Sequence, residues 1–306
     1  MTTLITHRPA TSEADFWAIH RLLVDHVRRT PLGFNLDIRR WEGRRFYDDR
    51  PGGDPSWCQQ VTLWETAGGQ LVGAVLPDGP GLTALQLAPD FGHLAEEMLA
   101  WAEANLNTPT ADGNGRQLQL LVHENNPDRE TLLASRGYEQ LSTGEVLRQM
   151  SIRQHEAPAV AEGYTIRSTN PESLTDCQRV ADVLNAAFGR TGHTAVEYQW
   201  FTRQAPSFRA YLDLAAVAPD GMFAAYTGIP YDFVNRRGIF EPVCTHPDHQ
   251  QRGLGKTLMR EGLHRLAQVG AQDVIVATGQ AAAANALYNS LGFDQTAAGF
   301  YWRKIF

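Results

Sequence analysis

Residues 243–259 hold the groups best suited to bind a phosphate. A strand pattern ends at Thr245, a Pro247-Asp248 turn follows, and Gly253 and Gly255 open a helix with Leu254, Leu258, Leu263 and Leu266 on its apolar face. The first N–H groups of a helix lack intrahelical acceptors and sit at the positive end of its dipole. Glycine lets a diphosphate approach that backbone with no Cβ in the way. Arg252, Lys256 and Arg260 recur at four-residue spacing and so line one face.

Two other phosphate motifs fail by position. A Walker loop ending in Gly255-Lys256-Thr257 needs glycine where Gln250 stands. A Rossmann fingerprint from Gly253 needs glycine or alanine where Leu258 stands. What remains is Gln-x-x-Gly-x-Gly between a strand and a helix. Further on, the strand 274–278 leads through Gly279 into a small-residue helix, with Ala284, Asn285 and Tyr288 before Gly292-Phe293, and the chain closes on Phe300, Tyr301 and Trp302.

In that order these features resemble the GNAT acetyltransferase superfamily over roughly residues 164–306. The resemblance implies acetyl-CoA as co-substrate and transfer of its acetyl group to an amine. It assigns the diphosphate to Gln250, Gln251, Arg252, Gly253, Leu254, Gly255 and Lys256, the pantetheine arm to the backbone of Val243, Cys244 and Thr245, and a further cofactor contact to Asn285. The same backbone groups around 243–245 are expected to bind the developing oxyanion.

The chemistry needs a base for the amine and an acid for the departing thiolate. Glu241 is the candidate base, sharing a strand face with Val243 and Thr245; pairing with Arg236 or Arg237 is the competing explanation. Tyr288 is the candidate acid, a phenol able to return a proton to sulfur; a core tyrosine is the alternative. Pro242 cannot donate in a ladder, so the strand is expected to be locally unpaired there. Cys244 points to the opposite face and reads as core. His246 and His249 lack the further ligands a metal needs, so no metal is expected. Tyr198, Trp200 and Phe201 fall on a helix that either covers the acceptor or merely packs.

The elements positioning these residues occur twice. Each half opens with a strand (4–8, 164–168) and an amphipathic helix (13–29, 172–188). Three strands follow: 60–65, 70–76 and 82–87, then 212–218, 222–229 and 239–245. A helix (93–106, 253–269), a strand (117–123, 273–278) and a tail in which a short helix stops at Gly137 or Gly292 complete each half. Each tail is read as starting a terminal strand pair. The expected architecture is α/β, with two tandem GNAT-like domains, each a mixed, mostly antiparallel sheet flanked by helices. The domains run over 1–152 and 164–306, with a linker at 153–163. The first half keeps the Pro89-Asp90 turn but has neither the glycine turn nor a counterpart of Tyr288, so it reads as degenerate, expected to bind CoA weakly or not at all and to wall the acceptor cleft.

With 306 residues, 43% hydrophobic and 20% charged, the chain can bury two modest cores. A net charge of -7 argues against nucleic acid or an anionic membrane as partner. Three scattered cysteines make no disulfide framework, and no leader or spanning segment is read, so a soluble cytoplasmic monomer or homodimer is expected. The leading function is N-acetylation of a small-molecule primary amine. Acetylation of a protein or peptide amine and a non-catalytic acyl-CoA-binding module stand as alternatives.

Overall fold

The computed structural model describes residues 4–50, 52–79 and 81–306; Met1–Thr3, part of the segment read for a leader, lie outside them. The N-terminal half runs β1 (Ile5–Pro9), α1 (Glu13–His26), α2 (Ile38–Phe46), β2 (Thr62–Thr66), β3 (Leu71–Pro77) and β4 (Thr83–Leu87). It continues through α3 (Ala95–Asn105), β5 (Thr108–Pro109), β6 (Arg116–His123), α4 (Pro127–Ser135) and β7 (Glu139–Ser151). The C-terminal half runs β8 (Thr165–Ser168), α5 (Leu174–Phe188), α6 (Ala195–Gln204), β9 (Asp213–Val217), β10 (Phe223–Gly228), β11 (Tyr231–Asp232) and β12 (Arg237–Ile239). It ends with β13 (Val243–Thr245), α7 (Leu254–Gln268), β14 (Asp273–Thr278), α8 (Ala282–Leu291) and β15 (Gln295–Ile305).

Local signals explain the helix ends. Ser12 and Asp15 form a capping box on α1, Asn126 caps α4, and Ser173 and Thr194 cap α5 and α6. Gly137 and Gly292 both take positive φ after their short helices, which is why the two tails look alike in sequence.

Two four-stranded antiparallel sheets, β1-β2-β3-β4 and β13-β10-β9-β8, belong to one half each. The third sheet, β11-β12-β14-β7-β15-β6-β5, belongs to both. Each tail is one long strand rather than the start of a strand pair within its own half, and the two are exchanged. β7 lies between β14 (Val274↔Met150, Val276↔Arg148) and β15 (Ala297↔Leu147), while β15 also pairs with β6 (Trp302↔Leu120). Residues 153–163, between β7 and β8, hold no helix or strand.

The strand expected over 239–245 is two strands. β12 runs parallel to β14, and after Phe240, whose N–H still reaches Ile275 O at 2.9 Å, the chain crosses to pair β13 with β10. Pro242 follows a cis peptide and has no N–H for a ladder, so the break falls where proline removes a donor. Glu241 therefore stands in the break rather than on a strand. No helix among the described residues is long and apolar enough to cross a membrane.

Candidate active site

The crossing of the chain from β14 to β10 opens a wedge between β13 and β14. β13 is the edge of its sheet, so one side of Val243–Thr245 has no strand partner. Val243 and Thr245 are half-buried, whereas Cys244 turns into the core and its thiol is pushed up to about 12 by burial.

Beyond β13 the phosphate-type turn is built as a cradle of amides. Gln251 and Gly253 both have positive φ, at 60° and 74°, and α7 starts at Leu254 without a side-chain cap. Among the described residues, the N–H groups of residues 251–256 find no protein acceptor. The next N–H, of Thr257, closes onto Gly253 O at 3.0 Å. Gln250, Gln251, Arg252 and Gly253 are exposed, Gly255 and Lys256 half-buried, and Leu254 anchors the helix in the core. A Cβ at Gly253 would meet nothing within 4 Å, so open space lies over that amide. Unpartnered amides, a helix dipole and open space are what a diphosphate needs. The residues present thus fit coenzyme A.

His249 Nδ1 lies 2.9 Å from Tyr164 Oη, and His246 Nδ1 accepts from Asp248 N at 3.3 Å. Among the described residues, no three of His, Cys, Asp and Glu gather where they could hold a metal.

On the other wall, α8 presents its small residues at the wedge. Asn285 Nδ2 donates to Gly279 O and Ala281 O, at 3.1 and 3.0 Å, tying the helix start to the end of β14. Tyr288 is 5% exposed, and burial pushes its phenol up to about 12, with the Arg148 charge opposing. Glu241 and Tyr288 line one cavity of 720 Å³.

More than half of the residues lining that cavity come from the N-terminal half, to which sequence reasoning assigned no site residue. Asp37 caps α2, and Arg39 and Arg40 follow on its first turn. The Arg39 guanidinium lies 4.8 Å from the Phe201 ring centroid and 5.3 Å from that of Tyr47, and its Nε is buried without a partner. Arg40 stands 3.9 Å from Asp78, and His123 Nε2 is 3.5 Å from Glu145. Burial, reinforced by Glu241, pushes Asp37 up to about 6 despite the Arg40 N–H it accepts. Glu241 thus faces charged groups of the opposite half. The ion-pair partners weighed for it lie elsewhere: Arg237 pairs with Asp273 at 2.6 Å, and among the described residues no ion pair joins Arg236 to Glu241. The one available signal was an aspartate cap before Ile38, Trp41 and Phe46, masked by four arginines in nine residues.

The helix with Tyr198 and Phe201 packs both aromatics into buried cores, and none of its residues lines the cavity. A buried network, in which Tyr226 Oη donates to Asp213 at 2.6 Å beside Tyr198 and Thr169, fixes α6 to β9 and β10. Phe201 then packs against Tyr47 of the N-terminal half at 5.3 Å between centroids.

The matching slot of the N-terminal half is filled by its own chain. Asn35 pairs with the free edge of β4, donating to Leu87 O at 3.0 Å and accepting from Leu87 N at 2.9 Å. Leu36 N donates to Gln86 at 2.8 Å, Asn125 to Leu32 O at 2.9 Å and Arg129 to Phe34 O at 3.0 Å. These bonds hold residues 32–36 where the open edge of β13 lies in the other half.

Residues 177–293 match the sequence model of the acetyltransferase (GNAT) family. No curated protein matches the chain. Among solved structures it is similar to a tandem GNAT protein from the clavulanic acid biosynthesis pathway, with TM-score 0.69, 18% identity and coverage of 99% of this chain and 98% of that one. It is also similar to a GCN5-related N-acetyltransferase from Sphaerobacter thermophilus, with TM-score 0.64, 19% identity and coverage of 98% and 95%. A GNAT-family acetyltransferase from Colwellia psychrerythraea aligns at TM-score 0.60 and 13% identity, covering 98% and 99%. At such identities these likenesses speak for the fold. The amide cradle at the mouth of the splayed sheet lies within the segment, residues 177–293, that matches the acetyltransferase (GNAT) family, and over its full length the chain is similar in fold to a tandem GNAT protein.

Proposed function

We propose that the protein transfers an acetyl group from acetyl-CoA to a primary amine of a small molecule. The observation that carries this is the unpartnered amide turn that follows β13, whose Val243 lines one cavity together with Glu241 and Tyr288. Residues 251–256 hold the diphosphate, the free edge of Val243–Thr245 takes the pantetheine arm, and Asn285 keeps the start of α8 against it. The thioester supplies the acetyl group.

Glu241 takes a proton from the acceptor ammonium, freeing the lone pair that forms the new C–N bond at the thioester carbon. Backbone N–H groups of β13 hold the carbonyl oxygen as it gains charge. As the C–S bond breaks, the nitrogen releases its second proton to solvent, and Tyr288 gives its own proton to the sulfur and recovers one from solvent. The products are the amide, CoA thiol and one net proton.

The cavity is walled by both halves, which suits a small acceptor better than a lysine on a protein surface. Its mixed charges, Asp37, Asp78 and Glu145 against Arg39 and Arg40, suit a polar one. The N-terminal half serves as that wall, its own cofactor slot plugged by residues 32–36. Three free cysteines fit a reducing cytoplasm.

Thiol release from acetyl-CoA across a panel of primary amines tests the reaction. Glu241→Gln and Tyr288→Phe should each lower kcat on the order of 10²-fold and leave CoA affinity within about twofold. Full turnover in both variants would remove these roles. Calorimetry on the full chain should give one acetyl-CoA per molecule; two would show that the plug yields.

A further inference from the structure

Strand exchange carries one charged side chain of the N-terminal half into the C-terminal core. Along β7, Glu145, Leu147 and Gln149 share one face and Val146, Arg148 and Met150 the other. Leu147 packs with Ile239 and Ile275, whereas Met150 belongs to the core of Val274, Val276, Tyr288 and Phe293. Arg148, opposite Val276 on that second face, is therefore set under α8.

Arg148 is only 6% exposed, and its Nε and Nη1 are buried without a hydrogen-bond partner. Among the described residues no carboxylate forms an ion pair with it. The charged groups on neighbouring elements are engaged or distant. Asp273 of β14 pairs with Arg237 and Arg28, Glu261 and Arg265 of α7 pair with each other, and His264 contacts His155 O. Arg260 is exposed, Lys256 lies in the amide turn, Glu145 faces His123, and Lys304 of β15 pairs with Glu103. An unpaired buried guanidinium lowers stability, so its presence beside Tyr288 calls for a use. The Arg148 charge is also the one that opposes burial at the Tyr288 phenol.

We propose that Arg148 is a positioning residue for acyl transfer, supplying from the N-terminal half the positive charge that the Tyr288 hydroxyl and the departing sulfur face. This rests on the acetyl-CoA reading of the site. It makes the N-terminal half part of the reaction even though its own slot is filled: the exchanged strand delivers a buried, unpaired positive charge, whereas Arg260 of α7 is exposed and Arg265 is paired with Glu261.

The test uses the full-length chain with CoA bound, following ionisation of the bound thiol by its thiolate absorbance. Positive charge favours the thiolate, so Arg148→Met should lower the thiol's ionisation constant about tenfold relative to wild type, and Arg148→Lys should restore most of it. In a Tyr288→Phe background the Arg148→Met effect should shrink, since the two act together. CoA affinity at neutral pH should change less than twofold, and the Tm of Arg148→Met should be equal or higher because an orphan charge has gone. A purely structural arginine would give the reverse, a lower Tm and an unmoved thiol, which overturns the proposal. Wild type that binds no CoA would sink the acetyl-CoA reading itself, and this proposal with it.

Discussion

Gly253→Glu is expected to leave the protein folded and to reduce acetyl-CoA affinity at least about 10²-fold. Gly253 precedes α7 at φ 74°, and a Cβ there would meet no atom within 4 Å, so packing is undisturbed. The left-handed conformation costs a non-glycine residue roughly 1–2 kcal/mol, and the neighbouring Gln251 already tolerates it at φ 60°. The carboxylate, in contrast, stands among the unpartnered amides where two phosphates would lie. It competes for their N–H groups and repels the ligand. Gly253→Ala separates the two effects, since it carries the strain without the charge and should cost affinity less than tenfold. Calorimetry with CoA and a thermal melt read both variants. Equal losses in both would assign the effect to backbone strain and not to phosphate.

The second large effect concerns the exchanged strands. Residues 153–306 expressed alone should fail to form a stable monomer. That fragment lacks β7, which pairs with β14 from Asp273↔Ser151 to Thr278↔Val146 and with β15 from Gln295↔Gln149 onward. Without it two apolar strand edges and the layer of Val274, Val276 and Ala297 face water, an arrangement that invites aggregation. Residues 1–152 alone lose β15 from beside β6 and should fare no better. Co-expressed, the two pieces should reassemble, because the cut falls where there is no helix or strand. Size exclusion and circular dichroism distinguish these outcomes; a monomeric, cooperatively melting C-terminal fragment would contradict them.

Much of the site was legible because its chemistry is local. The glycine turn, the helix it opens and the proline that interrupts the strand before it are each specified by a few adjacent residues, and Glu241 and Tyr288 line one cavity, although Glu241 stands in the strand break and not on the strand expected for it. The partner of a strand is not specified locally. β7 and β15 carry ordinary strand patterns that serve equally well beside their own half or the other, so the exchange could not be read from alternation. The acidic and basic wall from α2 was missed for a related reason. Arg39, Arg40, Arg44 and Arg45 make α2 look like a solvated surface helix, and only the tertiary fold turns its first residues into the cavity. The plug is subtler still: Asn35 has no special sequence context, and its role comes from the open edge of β4 that it meets.

A crystal structure of the full chain with acetyl-CoA tests the central claim most directly. The diphosphate should lie on the amides of residues 251–256, the pantetheine along Val243–Thr245, and the thioester between Glu241 and Tyr288, with residues 32–36 undisturbed. Cofactor seated instead beside β4, with Asn35 displaced from Leu87, would contradict the account.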